Sequence, residues 1–266
     1  MMRKKTLLEW DADNNDAVVR DMREDEKRNY YFGESVGILL FGQWFQNIPQ
    51  PGHQTYAPTY DFPVRFKFVD QPFGPEGLHG GNPDWRGWNL PEWQRCAKEL
   101  EADGVRAIVG GCGISGNMQS LLTAAVNIPV YTSSVLFAPL IYRGLKPGSK
   151  IGILTVSSAI LTARDNILFR ECGIDDSIPI VIAGLNESED AEVWLSTVTP
   201  EFDAQKVQQA VVNTAVKMVN ENPDIATIVI ECTDMTPYSA AIRAATQRPV
   251  FDAVDMVKWV HNMVQP

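Results

Sequence analysis

"VRAIVGGCGISGN" (residues 105–117) and "ATIVIECTDMTPYS" (residues 226–239) are the two stretches that decide the fold. Each is a short apolar run ending in a cysteine, with turn-forming and polar residues after it. Cys112 and Cys232 stand 120 positions apart, and the residues after them keep step. Pro129-Val130-Tyr131 and Pro249-Val250-Phe251 each begin 17 residues after their cysteine, and Ala124-Ala125 matches Ala244-Ala245. Upstream, Gly37-Ile38-Leu39 matches Gly152-Ile153-Leu154. One unit has been duplicated.

Gly111, Gly113 and Gly116 spell G-x-G-x-x-G. A dinucleotide fingerprint follows the first strand of its unit and needs an acid at the end of the next strand. Here the loop follows the third strand, the next strand ends "VYTSSV", and the second copy "ECTDMTP" has no glycine. The glycine pattern is incidental; its use is to let the backbone approach a ligand closely. What both copies retain is the cysteine.

Working outward, apolar runs and helical patterns alternate. Strands are expected at 36–42, 63–72, 105–111 and 128–134 in the first unit, and at 150–157, 178–184, 225–231 and 248–254 in the second. Helices are expected at 90–104, 114–127, 159–173, 203–222, 239–247 and 255–264. Such alternation predicts an α/β fold of two pseudo-symmetric lobes, each a parallel sheet flanked by helices, with the active site in the cleft between them. The first lobe is read as 36–135 plus 253–266 and the second as 136–252. Residues 1–35 are charged, lack sustained periodicity and read as an extension with one short helix, lying on the surface or on a partner subunit.

The 266 residues carry 23 Lys and Arg against 33 Asp and Glu, a formal charge of −10. An acidic surface disfavours nucleic acid and anionic membranes as partners. No run reaches the roughly 18 apolar residues of a membrane span. The four cysteines are widely spaced and the start has no export signal, so reduced thiols and a cytoplasmic protein are expected. His53, His79 and His261 are scattered, without metal-ligand spacing, and no metal or cofactor is expected.

A cysteine at the carboxyl end of a strand sits where open α/β sheets bind ligands. The amino end of the following helix favours thiolate there, which makes the sulfur a base or nucleophile. A single such cysteine reads as a small packing residue; two at matching points of a repeat do not. Cys96 and Cys172, in helical stretches, read as structural. Two thiols across one cleft suit removal of a proton from one face of a carbon acid and its return on the other. Glu231 precedes Cys232, and strand alternation points it away from that pocket.

"IVGGCGISGN", "IVIECTDMTPYS", "VGILLFG" and "IGILTVS" together resemble the aspartate/glutamate (hydantoin) racemase superfamily over about positions 36–265. The resemblance implies a cofactor-independent enzyme, a homodimer or higher homo-oligomer, acting on a small carboxylate. Cys112 and Cys232 would be its acid/base pair, and Thr233 would help hold the carboxylate. Asp234 stands where relatives have Glu or His. Relatives carry Asn-Thr after the first cysteine, where this chain has Gly113-Ile114. The loop after the first strand, "GQWFQNIPQPGHQ", also departs from the family pattern.

The candidate substrate-binding set is Gly113, Ser115, Thr155, Ser157, Thr233 and Asp234 at strand ends, with Gln43 and Trp44 from that loop. Ser115, Asn117, Thr132, Ser133, Thr155 and Ser157 also read as caps. Trp44, Trp85, Trp88 and Trp93 read as loop packing or as an aromatic wall for an apolar or cationic group. Racemisation of an amino acid or similar carbon acid is the leading expectation. A lyase or decarboxylase on the same scaffold is the alternative, since the superfamily also holds arylmalonate decarboxylases, maleate isomerases and a dimethylsulfoniopropionate lyase. A non-catalytic binding protein is the third, and it has no need of two cysteines.

Overall fold

The computed structural model describes residues 6–11, 16–21, 33–41, 50–70, 89–162, 167–195 and 202–265. Within the amino-terminal extension, β1 (Thr6–Asp11) and β2 (Asp16–Asp21) pair antiparallel, with Thr6 opposite Asp21 and Asp11 opposite Asp16. This corrects the expectation of a short helix there: "TLLEWD" and "DAVVRD" are each too short to show a period, but each carries an apolar centre suited to pairing.

The first large sheet has the order β4-β3-β5-β6, from β3 (Val36–Phe41), β4 (Val64–Val69), β5 (Ala107–Gly110) and β6 (Val130–Tyr131). The second comprises β7 (Lys150–Thr155), β8 (Ile180–Gly184), β9 (Ile225–Ile230) and β10 (Val250–Phe251), in the order β8-β7-β9-β10. Every pairing in both is parallel. The strand order is the same in both lobes, as duplication requires.

Helices cover both faces of each sheet, which is why the strands read as continuous apolar runs. Leu39 and Ile108 pack with α1 (Leu90–Asp103) and α2 (Gln119–Thr123), including the fully buried Trp93 and Leu100. Val36, Ile38 and Val109 face the other way. In the second lobe, α3 (Ala138–Arg143), α4 (Ser158–Thr162) and α5 (Ile167–Glu171) contribute to a core with Ile151, Ile153 and Val229. A short helix α6 (Ala191–Leu195) follows β8. The long helix α7 (Ala204–Glu221) buries Val207, Val211, Met218 and their neighbours against Leu154, Ile228 and Ile230, together with α8 (Ser239–Thr246). The last helix, α9 (Ala253–Val264), returns to the Val36–Ile38–Val109 face of the first sheet.

Helix ends follow local chemistry. Asp203 caps α7 by accepting from the Gln205 and Lys206 N–H groups, at 3.0 and 3.2 Å. Asp252 and Asp255 form a capping box on α9. α1 ends at Gly104, whose φ of 100° is the left-handed conformation that glycine adopts without strain.

Two expected helices differ. The stretch 114–127 begins as a 3-10 turn, Gly113–Met118, and only Gln119–Thr123 is α-helical. The matching Thr233–Tyr238 turn is also 3-10, with Pro237 inside it. The expected 159–173 helix is represented by α4 and α5. Residues 135–143, where the sequence pattern predicts no element, bridge the cores: Val135 and Ala138 pack in the second lobe, Phe137 in the first.

Candidate active site

Both cysteines leave the carboxyl ends of equivalent central strands, β5 and β9, and stand immediately before the 3-10 turns, without a side-chain capping hydrogen bond. The two strand ends meet. Thr233 Oγ1 donates to the Gly111 carbonyl at 3.0 Å, and Ser134 Oγ donates to the Ile230 carbonyl at 2.6 Å. All four cysteines are free thiols. Cys112 and Cys232 are partly exposed as residues, while their sulfurs are surrounded by protein, near enough that the charge of Cys112 acts on Cys232.

Burial first, and then the Glu231 charge, pushes the Cys112 thiol well above the ordinary range. For Cys232 the order is burial, then Asp234, then Glu231. The N–H groups of Ile114 and Ser115 at Cys112, and of Asp234 at Cys232, act in the opposite direction. The helix-end effect expected from sequence is therefore present but outweighed, and both thiols rest protonated: desolvation of a thiolate costs more than a few turn N–H groups return.

Strand alternation alone turns Glu231 away from the pocket, and the structure corrects this. Alternation does place it on the face of Thr155, whose hydroxyl donates to Glu231 Oε2 at 2.7 Å. Beyond the last strand residue, however, that face is covered by the first lobe. A Cβ on Gly113 would lie 2.1 Å from the Glu231 carbonyl oxygen and 2.3 Å from its Oε1. Only glycine after Cys112 leaves room for the Glu231 backbone carbonyl and, beside it, the carboxyl group, which explains the departure from Asn at that position. Glu231 is 2% exposed and its Oε1 has no hydrogen-bond partner. Burial raises its pKa from 4.5 to about 7 against the Thr155 hydrogen bond, with Asp234 adding to the rise.

The segment 50–60 of the first lobe crosses onto the second cysteine's turn. His53 Nε2 lies 3.0 Å from Asp234 Oδ1. His53 Nδ1 accepts from the Thr55 N–H at 3.1 Å, so the ring proton sits on Nε2 and is donated to Asp234. Gln50 Nε2 donates to Tyr238 Oη at 2.9 Å, and Thr236 Oγ1 to the Gly52 carbonyl at 2.8 Å. Gln54 is fully buried; its Nε2 donates to the Gly110 carbonyl at 2.9 Å, and its Oε1 has no partner. His53, distant in sequence and alone among polar loop residues, carried no signal that could have placed it here.

The remaining candidates divide. Gly113 and Asp234 flank the thiols. Thr155 holds Glu231. Thr233 commits its proton to Gly111. Ser115 is tied to the Thr132 carbonyl at 2.8 Å, and Ser157 to Glu187 at 2.9 Å, so both hydroxyls hold loops. Gln43 and Trp44 lie outside the described residues, as do Phe45, Trp85 and Trp88. Trp93 is core. Among the described residues, no three His, Cys, Asp or Glu side chains cluster to hold a metal ion, and no helix is long and apolar enough to cross a membrane.

The arrangement offers two protonated thiols, a buried carboxyl group with one free oxygen, and a His–Asp pair. Its carboxylates can accept a proton, a thiol can do so only once ionised, and the strongest charges acting on both sulfurs are negative.

No family model matches the chain. A dimethylsulfoniopropionate lyase of Durusdinium sp. clade D is 32% identical over 226 residues, covering 83% of this chain and 71% of that protein. Dimethylsulfoniopropionate lyase 7 of Emiliania huxleyi (strain CCMP1516) is 31% identical over 162 residues, covering 59% of this chain; the chain spans 47% of that relative's length. Among solved structures, an aspartate racemase homologue from Pyrococcus horikoshii OT3 superposes with a TM-score of 0.52 at 15% identity, over 88% of this chain and all of that one. Allantoin racemase from Pseudomonas fluorescens gives 0.51 at 14%, over 86% and 91%. Unliganded arylmalonate decarboxylase gives 0.50 at 13%, over 87% and 92%.

Proposed function

The chain belongs to the dimethylsulfoniopropionate lyase family, on the fold of the aspartate/glutamate racemase superfamily, and from that premise we propose that it is a cofactor-independent lyase acting on a sulfonium-bearing carboxylate. The reaction is a β-elimination. A site base removes the proton α to the carboxylate, the C–H electron pair becomes the new C=C bond, and the C–S pair leaves with sulfur. Dimethylsulfoniopropionate would give acrylate, dimethyl sulfide and one proton.

The observation that carries this reading is the sign of the charge at the thiols. Glu231 and Asp234 are the strongest charges on both sulfurs. A dicarboxylate such as aspartate or glutamate would meet like charge there, whereas a sulfonium cation would be attracted. The cation also offsets the cost of forming a thiolate in a buried site. Two thiols from opposite lobes equally suit inversion of a stereocentre, which keeps racemisation as a second reading.

The test is incubation with dimethylsulfoniopropionate in heavy water, with sulfide followed in the headspace and acrylate by NMR. We expect both products together. Elimination needs proton transfer on one face only, so one of Cys112→Ser and Cys232→Ser should lose roughly 10²–10⁴-fold in rate and the other much less. Deuterium exchange with inversion of an amino acid, without sulfide release, would favour the racemase. Neither exchange nor release from any carbon acid would sink both.

A further inference from the structure

We infer that Glu231 is a proton acceptor for Cys112, the two forming an acid/base pair across the lobe interface. This deepens the lyase reading and rests on it only where turnover is measured.

Four observations carry it. Glu231 Oε1 is buried and unpartnered, which is costly unless another group uses it. Its sister oxygen is fixed by the Thr155 hydroxyl, so the direction of Oε1 is set. That direction is against Gly113, the residue after Cys112, where no Cβ fits. Glu231 is also the largest charge acting on the Cys112 sulfur, ahead of Asp234. A packing role accounts for neither the buried, unpartnered Oε1 nor the fixing of its direction by Thr155.

The other titratable and charged groups around Glu231 are few. Cys232 and Asp234 follow it on its own strand end. Cys172, in the turn just after α5, feels its charge. His53 reaches it only through Asp234. Burial and Asp234 together hold its pKa at about 7, so the carboxylate form and the acid form are both accessible near neutrality.

The proton steps balance. Burial by itself keeps the proton on sulfur. A bound sulfonium adds the positive charge that favours thiolate, and the thiol proton passes to Glu231 Oε1. The Cys112 thiolate then takes the α-proton, the double bond forms and the sulfide departs. Cys112 ends as thiol and Glu231 as acid, so the site holds one extra proton, which Glu231 returns to solvent before the next cycle.

Glu231→Gln separates this from a structural role, because two readouts should move in opposite directions. Without substrate, alkylation of Cys112 by iodoacetamide, read at its peptide by mass spectrometry, should become faster at a given alkaline pH, since a negative neighbour is gone. With dimethylsulfoniopropionate, kcat should fall on the order of 100-fold or more with KM little changed, and the acidic limb of the pH profile should disappear. In the infrared, the wild type should show a protonated-carboxyl band that titrates near neutral pH, and Glu231→Gln should lack it. Thr155→Val serves if Glu231→Gln does not fold. It removes the hydrogen bond that favours the carboxylate, so the infrared transition and the acidic limb should move together to higher pH. An unchanged Cys112 alkylation profile in folded Glu231→Gln, or an infrared transition that ignores Thr155→Val, would overturn the pair. A wild type that never releases sulfide, yet shows the alkylation and infrared effects, would overturn the lyase reading and leave the pair supported.

Discussion

Glu231 is the residue whose environment departs furthest from what its neighbours in sequence imply. Burial shifts it toward the neutral acid, raising its pKa from 4.5 to about 7. A raised acid pKa stabilises the fold below the unfolded value, and that contribution is lost as pH climbs through the folded value. Wild-type stability should therefore decline between about pH 4.5 and 7, by an amount on the order of 3 kcal/mol. Glu231→Gln is neutral and of similar shape, so it should lack this slope and be the more stable protein above pH 7. Urea unfolding at pH 5 and pH 8 reads the difference directly; parallel slopes for the two proteins would show that Glu231 ionises freely in the fold. The two cysteines were legible in the sequence because duplication marks them twice. Glu231 was not, because alternation along β9 describes a sheet and says nothing of a second lobe packed against its end. His53 was hidden for the same reason: its contact with Asp234 joins positions 181 apart.

At the scale of elements, the repeated Gly-Ile-Leu acquires a cause. In β3, a Cβ on Gly37 would lie 2.9 Å from Leu100 Cδ1 of α1 and 3.2 Å from Val105 Cγ2. In β7, a Cβ on Gly152 would lie 2.6 Å from Met218 Cε of α7. The glycine in each lobe lets a helix lie close on the first strand. The repeat was visible in the sequence; the contact it serves was not, since Leu100 and Met218 share no motif. The neighbours differ in stiffness. Met218 meets Gly152 with the end of a flexible thioether chain, which can move aside. Gly37 faces Leu100 and the β-branched Val105, which has fewer rotamers to choose from. Gly37→Ala should cost roughly 1–3 kcal/mol as overpacking, and Gly152→Ala less. Chemical denaturation of the two variants checks the order, and a larger loss for Gly152→Ala would show that α7 is the more rigid partner. The helix expected at 114–127 failed as an element for a related reason. Gly113, Ser115 and Gly116 are weak helix formers, and Gly116 is hemmed in by Leu168 and Ser133, so the chain takes a tight 3-10 turn before α2 begins.

At the scale of the whole molecule, chemistry depends on how the lobes are held. Two sheets of the same strand order carry one cysteine each, and neither lobe alone contains both thiols. Five hydrogen bonds tie them besides the apolar contacts: Thr233 to Gly111, Ser134 to Ile230, Thr236 to Gly52, Gln50 to Tyr238 and His53 to Asp234. Buried hydrogen bonds of this kind contribute modestly while made, but a partner left unsatisfied costs about 1–3 kcal/mol. Their geometric effect is larger. A thiol moved about 1 Å from its reacting carbon can lose on the order of 100-fold in rate. Thr233→Val keeps the side-chain shape and removes the bond to Gly111 beside Cys112; His53→Ala releases the segment 50–60 from Asp234. Each variant should fold, and the pair together should loosen the lobes. Unfolding of the wild type should then be a single transition by tryptophan fluorescence and by far-ultraviolet circular dichroism. In the double variant the fluorescence curve, weighted toward the first lobe by Trp93 and Trp259, should separate from the dichroism curve, and turnover should fall by more than the product of the two single losses. Coincident curves with strictly multiplicative losses would mean that apolar packing through residues 134–143, rather than these hydrogen bonds, sets the distance between the thiols.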